Sequence, residues 1–223
     1  AQHCPIEPHV VLSWIASDGR LVIQTSTQVP FHVRRIVAQT LQIPVRQIRV
    51  IKPRIGGGFG AKQEILIEDV TAMLALRTRR PVYFMLTREE EFVSSRTRHP
   101  AQMRIRTGAK RDGTLTAIGL DCTTNTGAYG SHALTVVCNS GSKMLPLYRA
   151  PNIYFLGLSA YTNLPVAGAY RGYGNTQSSF AMECHMDEMA QLLGMDPLKF
   201  RMLNHIRKGD TSPVFAALGE GKE

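Results

Sequence analysis

Residues 47–78 read QIRVIKPRIGGGFGAKQEILIEDVTAMLALRT, and this stretch decides the fold. QIRVIK at 47–52 alternates β-branched and polar residues, as a strand does. The loop Gly56-Gly57-Gly58-Phe59-Gly60-Ala61 follows. Ile65, Val70, Met73, Leu74 and Leu76 then recur at helical spacing and predict a helix from about Lys62 to Thr78. Successive glycines at the start of a helix expose main-chain N–H groups, which favour an anion or an oxo group.

Working outward, LVIQT at 21–25 predicts a strand and Pro30–Ile43 a helix bearing Phe31, Val33, Ile36, Val37 and Leu41. PVYFML at 81–86 is another strand. Segments 101–107 and 114–122 read as an antiparallel hairpin around Asp112-Gly113. Residues 131–145 fit either element. A strand at 153–162 leads into a second glycine turn, Ala169-Tyr170-Arg171-Gly172-Tyr173-Gly174, which opens a helix running to Leu193 with Gly194 as its stop. The last predicted helix starts at Asp196-Pro197, an N-cap followed by proline at the first helical position. The fold class is α+β, with mixed sheets and packed helices and no internal repeat.

The 223 residues are 43% hydrophobic and 19% charged, which supplies a core and excludes disorder. No apolar run is long enough for a membrane span and no leader pattern opens the chain, so the expectation is a soluble, cytoplasmic protein. The net charge of +9 is concentrated in residues 1–111, with 18 Lys+Arg against 8 Asp+Glu. Arg34, Arg35, Arg46, Arg49, Lys52 and Arg54 lie among aliphatic residues without interleaved aromatics, which fits a solvated face or an anionic cofactor or partner better than nucleic acid. Cys4, Cys122, Cys138 and Cys184 are too dispersed to hold a zinc ion or an iron–sulfur cluster, and the seven histidines show no metal-ligand spacing. Any metal is expected to arrive inside a cofactor, with no direct side-chain ligand.

Two nucleotide readings fit the first loop poorly. GxGxxA at Gly56, Gly58 and Ala61 lacks an acidic residue at the end of the next strand. The phosphate-binding pattern GxxxxGK[ST] fails because Ala61 precedes Lys62 and Gln63 follows it. The loop at 169–174 repeats the strand, glycine turn and helix arrangement. Two such loops suggest one shared anionic ligand.

The chain resembles a known family along essentially its whole length. QHCPIEPH at 2–9, STQ at 26–28, RIGGGFGAKQE at 54–64, TREEEF at 87–92, RHP at 98–100, AYRGYGNTQ at 169–177 and KGD at 208–210 follow the order of the molybdopterin-binding subunit of the xanthine dehydrogenase and aldehyde oxidase family. The resemblance implies the molybdenum-cofactor-binding lobe of a hydroxylase. Its molybdenum–pterin cofactor, in mononucleotide or dinucleotide form, inserts a water-derived oxygen at an electron-poor carbon. Electrons then pass to iron–sulfur clusters and FAD on partner chains or domains. By motif, Gln28 is the side-chain amide beside the oxo ligand. Gly57, Gly58, Phe59 and Arg171 present backbone to the cofactor. Gln63, Ala169 and Tyr173 belong to the substrate pocket, Ala169 leaving room near the metal and Tyr173 stacking on a flat ring.

Departures from the pattern narrow the substrate. Xanthine-oxidising members carry a glutamate where this chain has Gln63 and an arginine aligned with Gly130, so an aldehyde or a less polar N-heterocycle stands beside xanthine as a substrate class. The second loop lacks the copper-bearing cysteine of carbon monoxide dehydrogenase. The family's general base, a glutamate in a late GE motif, is absent; Glu220 comes too soon after KGD and reads as an ordinary exposed residue. The expectation is a fragment, 1–223, of the first cofactor-binding lobe, with a subdomain break near 100–150 and the C-terminal lobe missing. Alone it is expected to be inactive, and its partners are that lobe, the iron–sulfur and flavin units and a small-molecule substrate. The rivals are a nucleotide-dependent dehydrogenase built on Gly56–Ala61 and a non-catalytic binding or assembly module.

Overall fold

The computed structural model describes residues 1–219, and their chain forms two compact units. Glu220 lies outside the described residues. The first unit comprises Ala1–Arg98 together with Gly168–Arg171. Its sheet joins β1 (Val10–Ile15), β2 (Leu21–Thr25), β3 (Ile48–Ile51) and β4 (Val82–Met85) in the order β3-β2-β1-β4. β1 runs antiparallel to β2 and β4, whereas β2 and β3 are parallel, joined through helix α1 (Pro30–Leu41). Helix α2 (Glu68–Thr78) packs with α1 over a core of Val11, Leu21, Ile23, Val33, Val37, Ile48, Ala72 and Ala75. The short α3 (Arg88–Ser94) begins at a capping box: the Thr87 hydroxyl accepts from the Glu90 amide, and the Glu90 carboxylate accepts from the Thr87 amide.

The second unit comprises His99–Ala167 and the chain from Gly172 onward. Strands β5 (Ala101–Ala109) and β6 (Leu115–Gly127) form the expected hairpin, and β7 (Asn152–Tyr161) adds parallel to β6. Helices α4 (Ala133–Ser142), α5 (Asn175–Leu192) and α6 (Pro197–Asn204) contribute to a core containing Ile118, Leu120, Val137, Met182, Met186 and Phe200. Gly174 caps α5 at φ 81°, where an added Cβ would lie 2.2 Å from the Val136 carbonyl.

The α+β class and mixed sheets stand, with four corrections to the elements. β1 escapes the sequence pattern because its buried face carries Ser13, whose hydroxyl donates to Thr71 across the core. The open segment 131–145 contains α4 at Ala133–Ser142 and the first residue of a 3-10 turn at Leu145–Leu147. Asp196-Pro197 starts a helix as expected, but α7 (Pro213–Ala217) follows it. The fourth correction bears on the site. The helix expected from Lys62 begins only at Glu68, after a single 3-10 turn at Ala61–Gln63 and an extended Glu64. Buried Glu68 accounts for the delay, since its Oε2 accepts the Leu66 and Ile67 amides and its Oε1 accepts the Thr25 hydroxyl.

Candidate cofactor-binding site

Between β3 and the 3-10 turn the chain is shaped by what occupies the space around it. Gly57 and Gly60 have φ near 105°, and Phe59, a residue 47% exposed, takes φ 52°. A left-handed conformation costs a side-chain-bearing residue on the order of 1 kcal/mol, so the loop holds Phe59 against a local preference. A Cβ at Gly58 would lie 2.5 Å from Gln28 Oε1, and one at Gly60 would lie 2.5 Å from the Ala169 carbonyl oxygen. Gly58 is therefore small because Gln28 lies against it, and Gly60 because the second loop's backbone does.

Gln28 follows β2, and its backbone amide donates to the Lys62 carbonyl at 2.8 Å. Its side-chain Oε1 accepts the Gly60 amide at 2.9 Å. That bond fixes the orientation of the carboxamide and leaves Nε2 as a donor with no acceptor among the described residues. The Gly56 amide is taken by Glu7 Oε2 and the Ala61 amide by the Gly58 carbonyl. Between them, the amides of Gly57, Gly58 and Phe59 donate to no acceptor among the described residues. Three consecutive free donors beside one fixed carboxamide form a cradle for acceptor oxygens.

Lys62 does not serve that cradle. It is 1% exposed, and its Nζ donates to the Glu7 carbonyl and to Glu7 Oε2, each at 2.8 Å. Although burial works against ionisation, the Lys62 ammonium and the Gly56 amide hold the Glu7 carboxyl below its ordinary range. With the lysine sequestered and the helix delayed to Glu68, neither a phosphate-binding lysine nor a helix N-terminus faces the loop's donors. Both supports of the nucleotide reading are removed.

The second loop meets the first inside the same unit. The Arg171 amide donates to the Phe59 carbonyl at 2.9 Å, and Ala169 is buried against Gly60. The Arg171 side chain is exposed and has no ion-pair partner among the described residues. Gln63 lies in the 3-10 turn with its amide on the Gly60 carbonyl. Gln28, Gly57, Gly58, Phe59, Gln63, Ala169 and Arg171 thus belong to one set of contacting loops. Tyr173 belongs to the second unit, where its hydroxyl shares hydrogen bonds with His132 Nδ1 and Thr135 Oγ1. Gly130 is in that unit too, and the Tyr161 hydroxyl occupies the space a larger residue there would need. Residues without a sequence-assigned role also touch the loops: His3, Glu7, His9 and Arg98. Their signal was position, since all four fall within QHCPIEPH and RHP.

Among the described residues no cluster of three or more His, Cys, Asp or Glu side chains is placed to hold a metal ion, and the four cysteines are unpaired. No helix among them is long and apolar enough to cross a membrane.

The chain is 45% identical over 222 residues to the probable hypoxanthine oxidase XdhD of Escherichia coli, a match covering 100% of the chain and 23% of that protein. It is 37% identical over 202 residues to the nicotinate dehydrogenase large molybdopterin subunit of Eubacterium barkeri, covering 91% of the chain and 48% of that subunit. The solved aldehyde oxidoreductase from Desulfovibrio gigas superposes with a TM-score of 0.90 at 34% identity, over 95% of the chain and 23% of that protein. The chain therefore spans about a quarter of the length of XdhD. The molybdopterin cofactor-binding domain model matches residues 1–205, and on that match the chain belongs to the molybdopterin cofactor-binding domain family.

Proposed function

We propose that the chain is the first cofactor-binding lobe of a molybdenum hydroxylase subunit, and that Gln28, Gly57, Gly58, Phe59 and Arg171 hold the cofactor. The carrying observation is the Gln28 carboxamide, pinned through Oε1 by Gly60 with Nε2 left to donate, beside three unpartnered amides. The fit is chemical: the cradle offers hydrogen-bond donors to oxygen and no side chain that would compete as a metal ligand. When bound, the molybdenum–pterin group supplies two-electron oxidation of an electron-poor carbon with oxygen taken from water.

The chain's own residues orient and discriminate. Gln28 Nε2 and the Gly57–Phe59 amides stabilise charge that develops on oxygen, and because they are already fixed they need little reorganisation. The Arg171 amide ties the loops together, and its guanidinium adds positive charge to the anionic group's surroundings. Ala169 contributes little bulk. Gln63 offers a neutral amide where a carboxylate would select xanthine, so the site favours an aldehyde or a less polar N-heterocycle. Tyr173 supplies a flat ring for stacking, its orientation set by His132 and Thr135. The general base, the iron–sulfur and flavin centres and the remaining cofactor contacts are assigned to the rest of a longer subunit and its partners in the cytoplasm. By itself the 223-residue chain is inactive.

The test is expression of the whole subunit with its partners, quantifying molybdenum and pterin and following oxidation of an aldehyde and an N-heterocycle with a dye acceptor. The expected result is retained cofactor and turnover, with Gln28→Ala lowering kcat by roughly 100-fold, the scale of one lost charge-stabilising donor. Absence of molybdenum and pterin from the folded protein, or saturable binding of NAD or ATP at the glycine loop, would overturn the reading.

A further inference from the structure

His3, Glu7 and His9 fall within seven residues, and each side chain reaches backbone of one of the two loops. His3 is 8% exposed; its Nε2 lies 2.7 Å from the Ala169 carbonyl, to which it donates, and its ring lies 4.0 Å from that of Tyr170. Glu7 holds the start of the glycine run twice, accepting the Gly56 amide on Oε2 and donating its own amide to the Gly56 carbonyl. Its carboxylate and carbonyl also hold Lys62. The His9 ring faces the Ala61 carbonyl at 3.3 Å and the Glu91 carboxylate at 2.9 Å. Arg98 completes the set. Its guanidinium lies 3.8 Å from the Tyr170 ring centroid and donates to the Tyr170 and Arg171 carbonyls at 3.3 and 2.6 Å. Its amide donates to the Ala1 carbonyl.

All three carbonyls of Ala169, Tyr170 and Arg171 are therefore occupied by side-chain donors, and the Arg171 amide rests on Phe59. A peptide segment engaged at every carbonyl has its plane orientations fixed. We propose that His3–His9 together with Arg98 is a strap setting the separation and orientation of the two loops: His3 and Arg98 are positioning residues for Arg171, and Glu7 is one for the Gly56–Gly58 run. The purpose of the strap rests on the cofactor reading above. Its mechanics do not, because every contact is within the chain.

The test is amide hydrogen exchange on the full 223-residue chain with His3→Ala and His3→Gln. Glutamine carries an amide nitrogen where histidine has Nε2, so it restores the donor without the ring. In His3→Ala the Arg171 amide is expected to exchange at least about 10-fold faster, the amides of Val11 and Ile23 to stay at their wild-type rates, and His3→Gln to return Arg171 toward the wild-type rate. An unchanged Arg171 amide in folded His3→Ala, equal acceleration in the core, or no rescue by glutamine overturns the strap. If His3→Ala does not fold, Arg98→Gln is read by the same criteria for Arg171 and the core. Molybdopterin added to the wild-type chain within its whole subunit, followed by fluorescence, separates the ideas: failure to bind overturns the cofactor reading, while the exchange pattern alone decides the strap.

Discussion

At position 58 a single methyl group would land 2.5 Å from Gln28 Oε1 and 2.9 Å from its Cδ. Both neighbours are side-chain atoms, so Gly58→Ala is accommodated by turning Gln28 away, which leaves the Gly60 amide without its acceptor. The expected outcome is a stability loss of about 1–2 kcal/mol, measured by urea unfolding, with turnover of the whole subunit falling as far as in Gln28→Ala. Gly60→Ala is harsher. Its φ of 106° is poor for alanine, and the obstructing atoms are the Ala169 and Tyr170 backbone, which cannot rotate aside. Lys62→Met separates a structural lysine from a ligand-binding one: removing the buried ammonium is expected to cost about 2–3 kcal/mol, below the range for a fully buried pair because Glu7 retains some solvent access. It should not alter Arg171 exchange selectively. The motif order indicated that Gln28 and Gly58 belong to one site. That they touch was invisible, because spacing along the chain does not encode a contact made between a strand end and a loop.

Among the elements, the clearest failure of sequence reading is α2, and it is instructive. Lys62 to Glu68 satisfies helical periodicity, yet Lys62 is drawn inward by Glu7 and the amides before Glu68 are captured by its carboxylate. Tertiary partners decided the boundary, as they decided β1 through the Ser13 to Thr71 bond. The strands at 21–25, 48–51 and 82–85 were legible because their apolar runs are bounded by turn residues. The same inward-turned polar groups make the first unit sensitive to acid. Burial is the largest influence on Glu91 and opposes its charge, but the His9 side chain and amide outweigh it and hold the carboxyl below the ordinary carboxylate range, as Lys62 does for Glu7. Burial, reinforced by Arg98, holds His3 below 6.5. The folded state therefore binds fewer protons than the unfolded state at all three groups. His3 contributes stability present above pH 6.5 that declines as pH falls through its lowered value, and the two carboxylates contribute stability present above pH 4.5 that declines below it. Trp14, the single tryptophan, sits in β1 and reports this unit. Its fluorescence-detected urea midpoint is expected to fall from pH 7 to pH 4, and His3→Gln should flatten the part beginning near 6.5. A midpoint independent of pH would contradict the assignment of these charges.

For the whole molecule, the consequential fact is that the first unit is not continuous in sequence. Ala1–Arg98 supplies its sheet, helices and core, yet Gly168–Arg171 belongs to it as well. A polypeptide ending at Arg98 would keep the buried residues Val11, Ile23, Val37 and Ala72 and would be expected to fold. It would lose the acceptors of His3 and Arg98 and the donor to the Phe59 carbonyl. Counting the Tyr170 hydroxyl on the Gln2 carbonyl and the Gly168 amide on the Thr97 carbonyl, six hydrogen bonds go, and at about 1 kcal/mol each they set the upper scale of the loss. The expected result is a fragment about 2–4 kcal/mol less stable than the first unit of the full chain, read through Trp14. A synthetic peptide of residues 166–173, added in excess, should raise its urea midpoint in a saturable way by binding only the folded form. The same peptide with Arg171→Pro lacks the amide that donates to Phe59 and should be markedly less effective. Equal stability of the fragment and the intact unit, or equal action of the two peptides, would mean that the second glycine loop rests against the first without holding it. The convergence of the two loops would then have to depend on the cofactor itself and not on the chain's own bonds.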